Sequence, residues 1–279
     1  MVLIADSGGT KTAWRVIEDG KVVNDLETSG LNPYYRSPET IESVISNELS
    51  PNISSDIAEI YFYGAGCSSV DGCNKIRDGL RTLFPEAQIE VTHDLLGVAR
   101  ALCENKEGIA CILGTGSNSC YFDGVKIVKN IPSLGYILGD EGGGSFMGKK
   151  LVTDYLRGNM PKELENIFHQ KFNLDKSEIE KKIYLQDNPI HFLSGFAPFI
   201  LEHVKEQYMH DLVSRSFRIF LENCVFKYHN YNHLPLHFVG GVAYNFREFL
   251  AEVLTDEGLK VGNIFNNPIE GLTQYHMSL

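Results

Sequence analysis

The chain has 279 residues, 43% of them hydrophobic, enough to bury a substantial core and long enough to favour two domains over one. Its 25 basic residues stand against 36 acidic ones, a formal net charge of −11, with no block of basic residues anywhere. That balance argues against nucleic acid or an anionic membrane as a partner.

Residues 2–7, 12–18 and 21–27 read as three antiparallel strands, with Asp19-Gly20 as the second turn. The first turn is Ser7-Gly8-Gly9-Thr10-Lys11-Thr12. Glycines let backbone N–H groups approach an anion, and the hydroxyls add donors, so the tip reads either as a phosphate cradle or as an ordinary glycine-rich hairpin. It is not a Walker loop, because a strand-like run follows where that motif opens a helix, and the Rossmann fingerprint fails for the same reason. Phosphate bound against so acidic a global field needs local backbone donors and a cation, which points to a Mg²⁺-escorted nucleotide.

Next in order, Ser37 as N-cap and Pro38 as the first helical residue open a helix with Ile41, Val44, Ile45 and Leu49 on one face. A buried-type strand at 59–63, a helix at 74–84, a strand at 88–91 and a helix from about 94 complete a β-β-β-α-β-α-β-α succession, the pattern of an α/β layered domain. Asp94 sits where the last of these strands gives way to its helix. It reads as an N-cap, as a general base at the carboxyl edge of the sheet, or as both.

A polar break at Asn105-Lys106-Glu107-Gly108 ends the first domain near Glu104. Strands at 109–114, 118–122 and 125–129 then repeat the opening meander, with a second glycine and hydroxyl tip at Gly114-Thr115-Gly116-Ser117. The match in order and spacing predicts an internal duplication: an N-terminal domain at 1–104 and a C-terminal domain at 105–279, with a nucleotide in the cleft between them. Gly139-Asp140-Glu141-Gly142 follows, as a capping turn or as a loop that offers a carboxylate to the hydroxyls of a ligand.

The stretch 162–229 reads as helical apart from breaks at 172–175 and 187–190, forming a helical insert at about 160–230. Its apolar stripe through Phe196, Ile200, Val204, Tyr208 and Leu212 is that of a core or a subunit interface. His203, His210, His229 and His233 show no metal-like clustering. The strand into Gly240-Gly241 reads equally as a plain strand-to-helix turn and as a place where backbone approaches an adenine or ribose. A strand at 261–265 and a terminal helix at 269–277 end the chain, the helix being a candidate to pack back on the first domain. Six cysteines without a CxxC pair read as buried reduced thiols, with a metal role for Cys67 and Cys73 left open. The N-terminus has no signal peptide pattern, no run has the length of a membrane span, and the expected location is cytoplasmic.

Taken together, Asp6-Ser7-Gly8-Gly9-Thr10-Lys11-Thr12, Asp94, Gly114-Thr115-Gly116-Ser117, Gly139-Asp140-Glu141-Gly142 and Gly240-Gly241 resemble, in this order and spacing, the N-acetylglucosamine kinases. These lie in the wider ATPase family that includes benzoyl-CoA reductase and 2-hydroxyacyl-CoA dehydratase activators, inside the actin, sugar kinase and Hsp70 superfamily. The resemblance implies two duplicated RNase H-like domains of the actin type, ATP and Mg²⁺ as cofactors, and phosphorylation of N-acetylglucosamine to its 6-phosphate by a homodimer. By the same resemblance Gly8, Gly9, Thr10, Lys11, Thr12, Thr115, Gly116 and Ser117 hold phosphate, Gly240 and Gly241 line the adenosine, and Asp6 positions Mg²⁺ through water. Asp94 is then the base, and Asn32, Asn118 and Asp140 contact the sugar. The alternative within the family is an ATPase that drives a partner redox enzyme. Leu134 departs from the tryptophan that many of these kinases carry before the glycine at this point, which bears on the acyl pocket and on the identity of the amino sugar.

Overall fold

Alternating apolar and polar residues set the first sheet. In the computed structural model, which describes residues 1–54, 56–186 and 188–279, β1 (Val2–Ser7), β2 (Lys11–Glu18) and β3 (Lys21–Ser29) form an antiparallel meander. Parallel to β1 on its other side run β4 (Glu59–Gly64) and β5 (Gln88–His93), giving the order β3-β2-β1-β4-β5. The period of two sends Leu3, Ala5, Trp14, Val16, Ile60 and Phe62 to one face and Ile4, Ile17 and Tyr63 to the other. Both faces are therefore covered. Helices α1 (Pro38–Val44) and α2 (Val70–Leu83) pack on the first through Ile41, Val44, Ile76 and Leu80. Helix α3 (Asp94–Cys103) and the C-terminal helix (Ile269–Met277) pack on the second through Ala101, Ile269 and Leu272.

Two local departures from the sequence reading have visible causes. Ser37 caps α1 as expected, accepting from the Thr40 N–H at 3.3 Å, but the helix widens into a π-type turn at Ile45–Leu49, which keeps Ile45 and Leu49 buried. Helix α2 starts at Val70 rather than at 74, because the Ser69 hydroxyl accepts the Gly72 N–H at 3.1 Å and caps a turn earlier.

A second sheet repeats the plan. Strands β6 (Glu107–Leu113), β7 (Ser117–Asp123), β8 (Ile127–Ile131), β9 (Pro235–Val239) and β10 (Lys260–Phe265) stand in the order β10-β9-β6-β7-β8, with β6 antiparallel to β7 and parallel to β9. Strand β6 thus takes the place of β1. Between β8 and β9 come α4 (Gly135–Leu138), α5 (Gly144–Arg157), α6 (Lys162–Phe172), α7 (Lys176–Tyr184), α8 (Pro189–Ser194), α9 (Ala197–Glu202) and α10 (Gln207–Asn223). Then α11 (Gly241–Asn245) and α12 (Arg247–Asp256) connect β9 to β10. The core of this unit joins Ile109, Cys111, Leu113, Leu236 and Phe238 of the sheet to Met147, Leu151, Phe217, Phe220, Leu250 and Leu254 of the helices.

The helical stretch is more broken than its periodicity suggests. Asn173 ends α6 at φ +46° within the expected break, and the other expected break begins at residue 187, outside the described residues. Further interruptions fall at Gly195–Phe196 and between Glu202 and Gln207, and Pro189 and Pro198 sit in the first turns of α8 and α9. The stripe itself is core: Phe196, Ile200, Val204 and Leu212 are buried, with Tyr208 packed against them.

One compact unit comprises residues 1–106, 124–127 and 267–279, the other 107–123 and 128–266. The C-terminal helix, α13, accordingly belongs to the first. It crosses α3 at backbone contact, since a Cβ at Gly271 would lie 2.3 Å from the Ala101 carbonyl oxygen.

Candidate functional site

In the first unit the turn between β1 and β2 is closed by Gly8 N–H donating to the Lys11 carbonyl at 2.9 Å. Gly9, Thr10 and Lys11 are exposed at its tip, and a cavity of about 830 Å³ is lined by Asp6, Gly8 to Lys11, Arg15, Glu27 and the start of α13. Thr12 differs from its neighbours. It is fully buried, with its hydroxyl 2.7 Å from that of Ser7, so it supports the turn from behind. Lys11 bridges to Glu27 at 2.7 Å, and because both side chains are more than half exposed this pair is weak and free to open.

Asp6 is the next-to-last residue of β1, beside this turn. Burial pushes its carboxyl up to about 7, the negative charge of Asp94 adds to the rise, and Lys11 opposes it. Asp6 and Asp94 stand at the same carboxyl edge of one sheet, on β1 and just past β5 with β4 between them, and their charges repel. An oxygen donor such as Asp6 suits a hard divalent cation, and Mg²⁺, which keeps several of its waters, needs few protein ligands.

Asp94 is not the cap of α3. That position is taken by His93, whose Nδ1 accepts the Leu96 N–H at 3.2 Å, while among the described residues the Asp94 carboxylate accepts only the adjacent Leu95 N–H at 2.9 Å. Burial lowers the His93 pKa, which favours the neutral ring that this acceptor role needs. The substitution of a histidine cap for the expected aspartate leaves Asp94 with acceptor capacity to spare. Asn32 lies in the loop after β3, nearly buried, with its side-chain carbonyl accepting the Tyr34 N–H at 3.0 Å. The backbone at Gly66 presses against it so closely that a Cβ there would meet the amide oxygen at 2.4 Å. Neither Asn32 nor Asp94 lines the cavity at the turn.

The second unit holds its own turn differently. The first N–H groups of α5 reach back to it: Gly144 donates to the Gly114 carbonyl at 2.8 Å and Ser145 to that of Thr115 at 2.9 Å. Asp140, only 5% exposed and in the left-handed region at φ +60°, accepts the Ser117 N–H at 3.2 Å and the Ser133 hydroxyl at 3.3 Å. Its carboxylate lies directly under Gly116, where a Cβ would be 2.7 Å away. Glu141 turns elsewhere and accepts from Asn223 at 2.8 Å. Asn118 is held by Asn130, which donates to it at 3.0 Å, and by the N–H of Ser119 at 2.9 Å.

Gly240, at φ +120°, brings its backbone against the end of β6, with the position of a Cβ only 2.4 Å from the Leu113 carbonyl oxygen. That approach lets Gly241 and Thr115 share one cavity of about 610 Å³ with Gly114, Gly144, Val242 and Phe246. Ser194, Pro198 and Asn245 also line it, and the sequence carried no motif that would have singled them out. Glu27 and His93 were missed for the same reason: each acts through a partner distant in sequence or through a cap that histidine rarely makes.

The cysteines do not assemble. None of the six is in a disulfide; Cys73 donates to the Cys67 carbonyl at 3.3 Å, and burial pushes the Cys67 thiol up to about 12. Among the described residues no three His, Cys, Asp or Glu side chains converge on a metal position, and no helix is long and apolar enough to cross a membrane.

No protein-family model matches the chain, and no curated protein matches it significantly. Among solved structures, a candidate N-acetylglucosamine kinase from Porphyromonas gingivalis is 44% identical, with a TM-score of 0.93, over 100% of this chain and 99% of that one. A second candidate N-acetylglucosamine kinase, from Chromobacterium violaceum, is 15% identical with a TM-score of 0.76, covering 98% of both chains. A glucokinase of the ROK family from Streptomyces griseus, solved with glucose and AMPPNP, is 12% identical with a TM-score of 0.52 over 98% of this chain and 97% of that one. These last two likenesses are of fold. With two copies of one α/β plan and 44% identity to the Porphyromonas protein from end to end, the chain belongs to the N-acetylglucosamine kinase family, on the duplicated RNase H-like fold of the actin-type ATPases and sugar kinases.

Proposed function

We propose that this protein transfers the γ-phosphoryl group of ATP to a hydroxyl of an amino sugar, N-acetylglucosamine at its 6-position being the first candidate. The observation that carries the reading is that Asp6 and Asp94 stand at the same carboxyl edge of one sheet beside an exposed glycine turn, in a chain of this family. Asp94, relieved of capping by His93, would orient the sugar hydroxyl and take its proton. Backbone N–H groups of Gly9, Thr10 and Lys11 would bind phosphate, with Gly8, whose N–H closes the turn, and Thr12 holding it in shape. Thr115 and Gly116 would do the same in the second unit, Ser117, whose N–H goes to Asp140, would offer its hydroxyl, and Gly240 and Gly241 would leave room for the adenosine. Asn32, Asn118 and Asp140 would bind sugar hydroxyls.

Asp6 would hold Mg²⁺ through water, and the bound ion would neutralise charge on the phosphates. Positioning and charge compensation then supply most of the rate. The decisive assay is ADP release with ATP and Mg²⁺ across a panel of amino sugars and simple hexoses. Release stimulated by N-acetylglucosamine, with the product phosphorylated at the 6-hydroxyl, is the expected result; stimulation by no sugar sinks the kinase reading.

The protein is further proposed to act in the cytoplasm as a homodimer. Exposed apolar side chains at Leu134, Ile137, Leu138, Tyr184 and Leu185 of the second unit support a protein-covered surface. Sedimentation of the purified chain tests this directly.

A further inference from the structure

Three buried polar groups connect the first phosphate turn to the segment bearing Asn32. Leu31 N–H donates to Ser7 Oγ at 3.1 Å, Ser7 and Thr12 hydroxyls lie 2.7 Å apart, and Thr12 Oγ1 donates to the Ser29 carbonyl at 3.3 Å. With Leu31 donating in and Thr12 donating out, the one consistent assignment has Ser7 donating to Thr12. The result is an unbroken relay from the backbone of residue 31, through β1 and β2, to the backbone of residue 29. Ser7 is 1% exposed and Thr12 and Leu31 are not exposed at all, so water cannot replace any member.

The backbone repeats the connection outside the relay. Gly30 N–H donates to the Thr10 carbonyl at 2.9 Å, and Gly30 lies so close under the turn that a Cβ there would meet the carbonyl oxygens of Gly9 and Gly8 at 2.6 and 2.7 Å. Two residues on, the chain turns sharply at Asn32, whose backbone carbonyl accepts from Tyr35 and Arg36. The turn at 8–11 and the loop at 29–32 therefore share one hydrogen-bonded, glycine-packed piece, and a shift in either must be absorbed by the other.

We infer that Ser7 and Thr12 are positioning residues that couple the nucleotide to the sugar: occupation of the Gly8–Lys11 turn by phosphate orders the Asn32 loop, and sugar on Asn32 orders the turn. The inference rests on the proposed kinase reading for the identity of the two ligands, and it assigns neither hydroxyl to direct contact with them. A coupling of this kind is reciprocal, so each ligand tightens the other by the same factor.

The test uses the full-length protein and two readouts. Amide exchange across residues 29–36 is followed on adding Mg·ADP alone; the wild type gains protection there, and Ser7→Ala and Thr12→Val do not. Affinity for N-acetylglucosamine is then measured with and without Mg·ADP, where the wild type shows enhancement of about fivefold or more that falls toward one in Thr12→Val and returns in Thr12→Ser. Thermal melting identifies any variant that has lost its fold, and the conservative Thr12→Ser keeps the comparison open if Ser7→Ala does not fold. Equal enhancement in wild type and Thr12→Val overturns the coupling. So does a change confined to the KM for ATP, which would make the hydroxyls simple phosphate ligands. Should the wild type phosphorylate no sugar, the kinase reading fails by itself, and exchange protection of residues 29–36 by nucleotide still decides the inference.

Discussion

Nε2 of His276 lies 2.9 Å from the Tyr63 hydroxyl, a bond that ties the last turn of α13 to the centre of the first sheet. Arg100 donates to that hydroxyl at 2.8 Å, which leaves the hydroxyl proton available to a neutral His276 ring. His276 also stacks on Tyr61 with ring centroids 4.0 Å apart, and among the described residues its buried Nδ1 has no hydrogen-bond partner.

A second proton has no place in this arrangement. Burial, and then the charge of Arg100, lower the His276 pKa from 6.5 to about 4. The unfolded chain therefore takes up a proton at a pH where the folded chain does not. The stabilising contribution is complete above pH 6.5 and is lost as the pH falls toward 4. His276→Gln keeps an acceptor for Tyr63 and removes the titration, so its melting temperature should fall less steeply than the wild type's over that window. Parallel slopes would remove His276 from the account.

The crossing of α3 and α13 is predicted to be intolerant of a single methyl group. Gly271→Ala places a Cβ 2.3 Å from the Ala101 carbonyl oxygen, backbone against backbone, which side-chain rotation cannot relieve. The expected cost is about 1–3 kcal/mol, read as a lower urea midpoint at unchanged slope. An unchanged midpoint would mean that the helices separate freely.

Replacement of Asp94 by asparagine should separate chemistry from binding. Loss of a general base costs about 10²–10⁴ in turnover. Because His93 and not Asp94 caps α3, the melting temperature should move little, and Mg·ADP affinity measured by calorimetry should stay near the wild-type value. Turnover within a few fold of wild type would reject Asp94 as the base.

Gly116→Ala makes the complementary test in the second unit. The added methyl falls 2.7 Å from the Asp140 carboxylate and forces it away from the Ser117 N–H. The KM for sugar should rise about tenfold, the scale of one lost charge-assisted hydrogen bond. A KM for sugar equal to the wild type's, with the fold intact, would argue against a sugar contact at Asp140.

Much of this protein is written in local pattern. The two meanders, their glycine turns, the cap at Ser37 and the succession of strands and helices along the chain depend on period and turn chemistry, both properties of short segments. Asp94 and Asp140 stand beside such signals, whereas Asp6 entered as a candidate only through the family resemblance. Tertiary structure decided the rest, because those outcomes join residues far apart in the chain. It turned Thr12 inward onto Ser7, gave the cap of α3 to His93, fastened Asp140 beneath Gly116, and returned α13 to the first unit across α3. A hydroxyl in a glycine turn has the same sequence signature whether it faces solvent or core, and only the packing of residues 29–31 behind the turn settles which way Thr12 points.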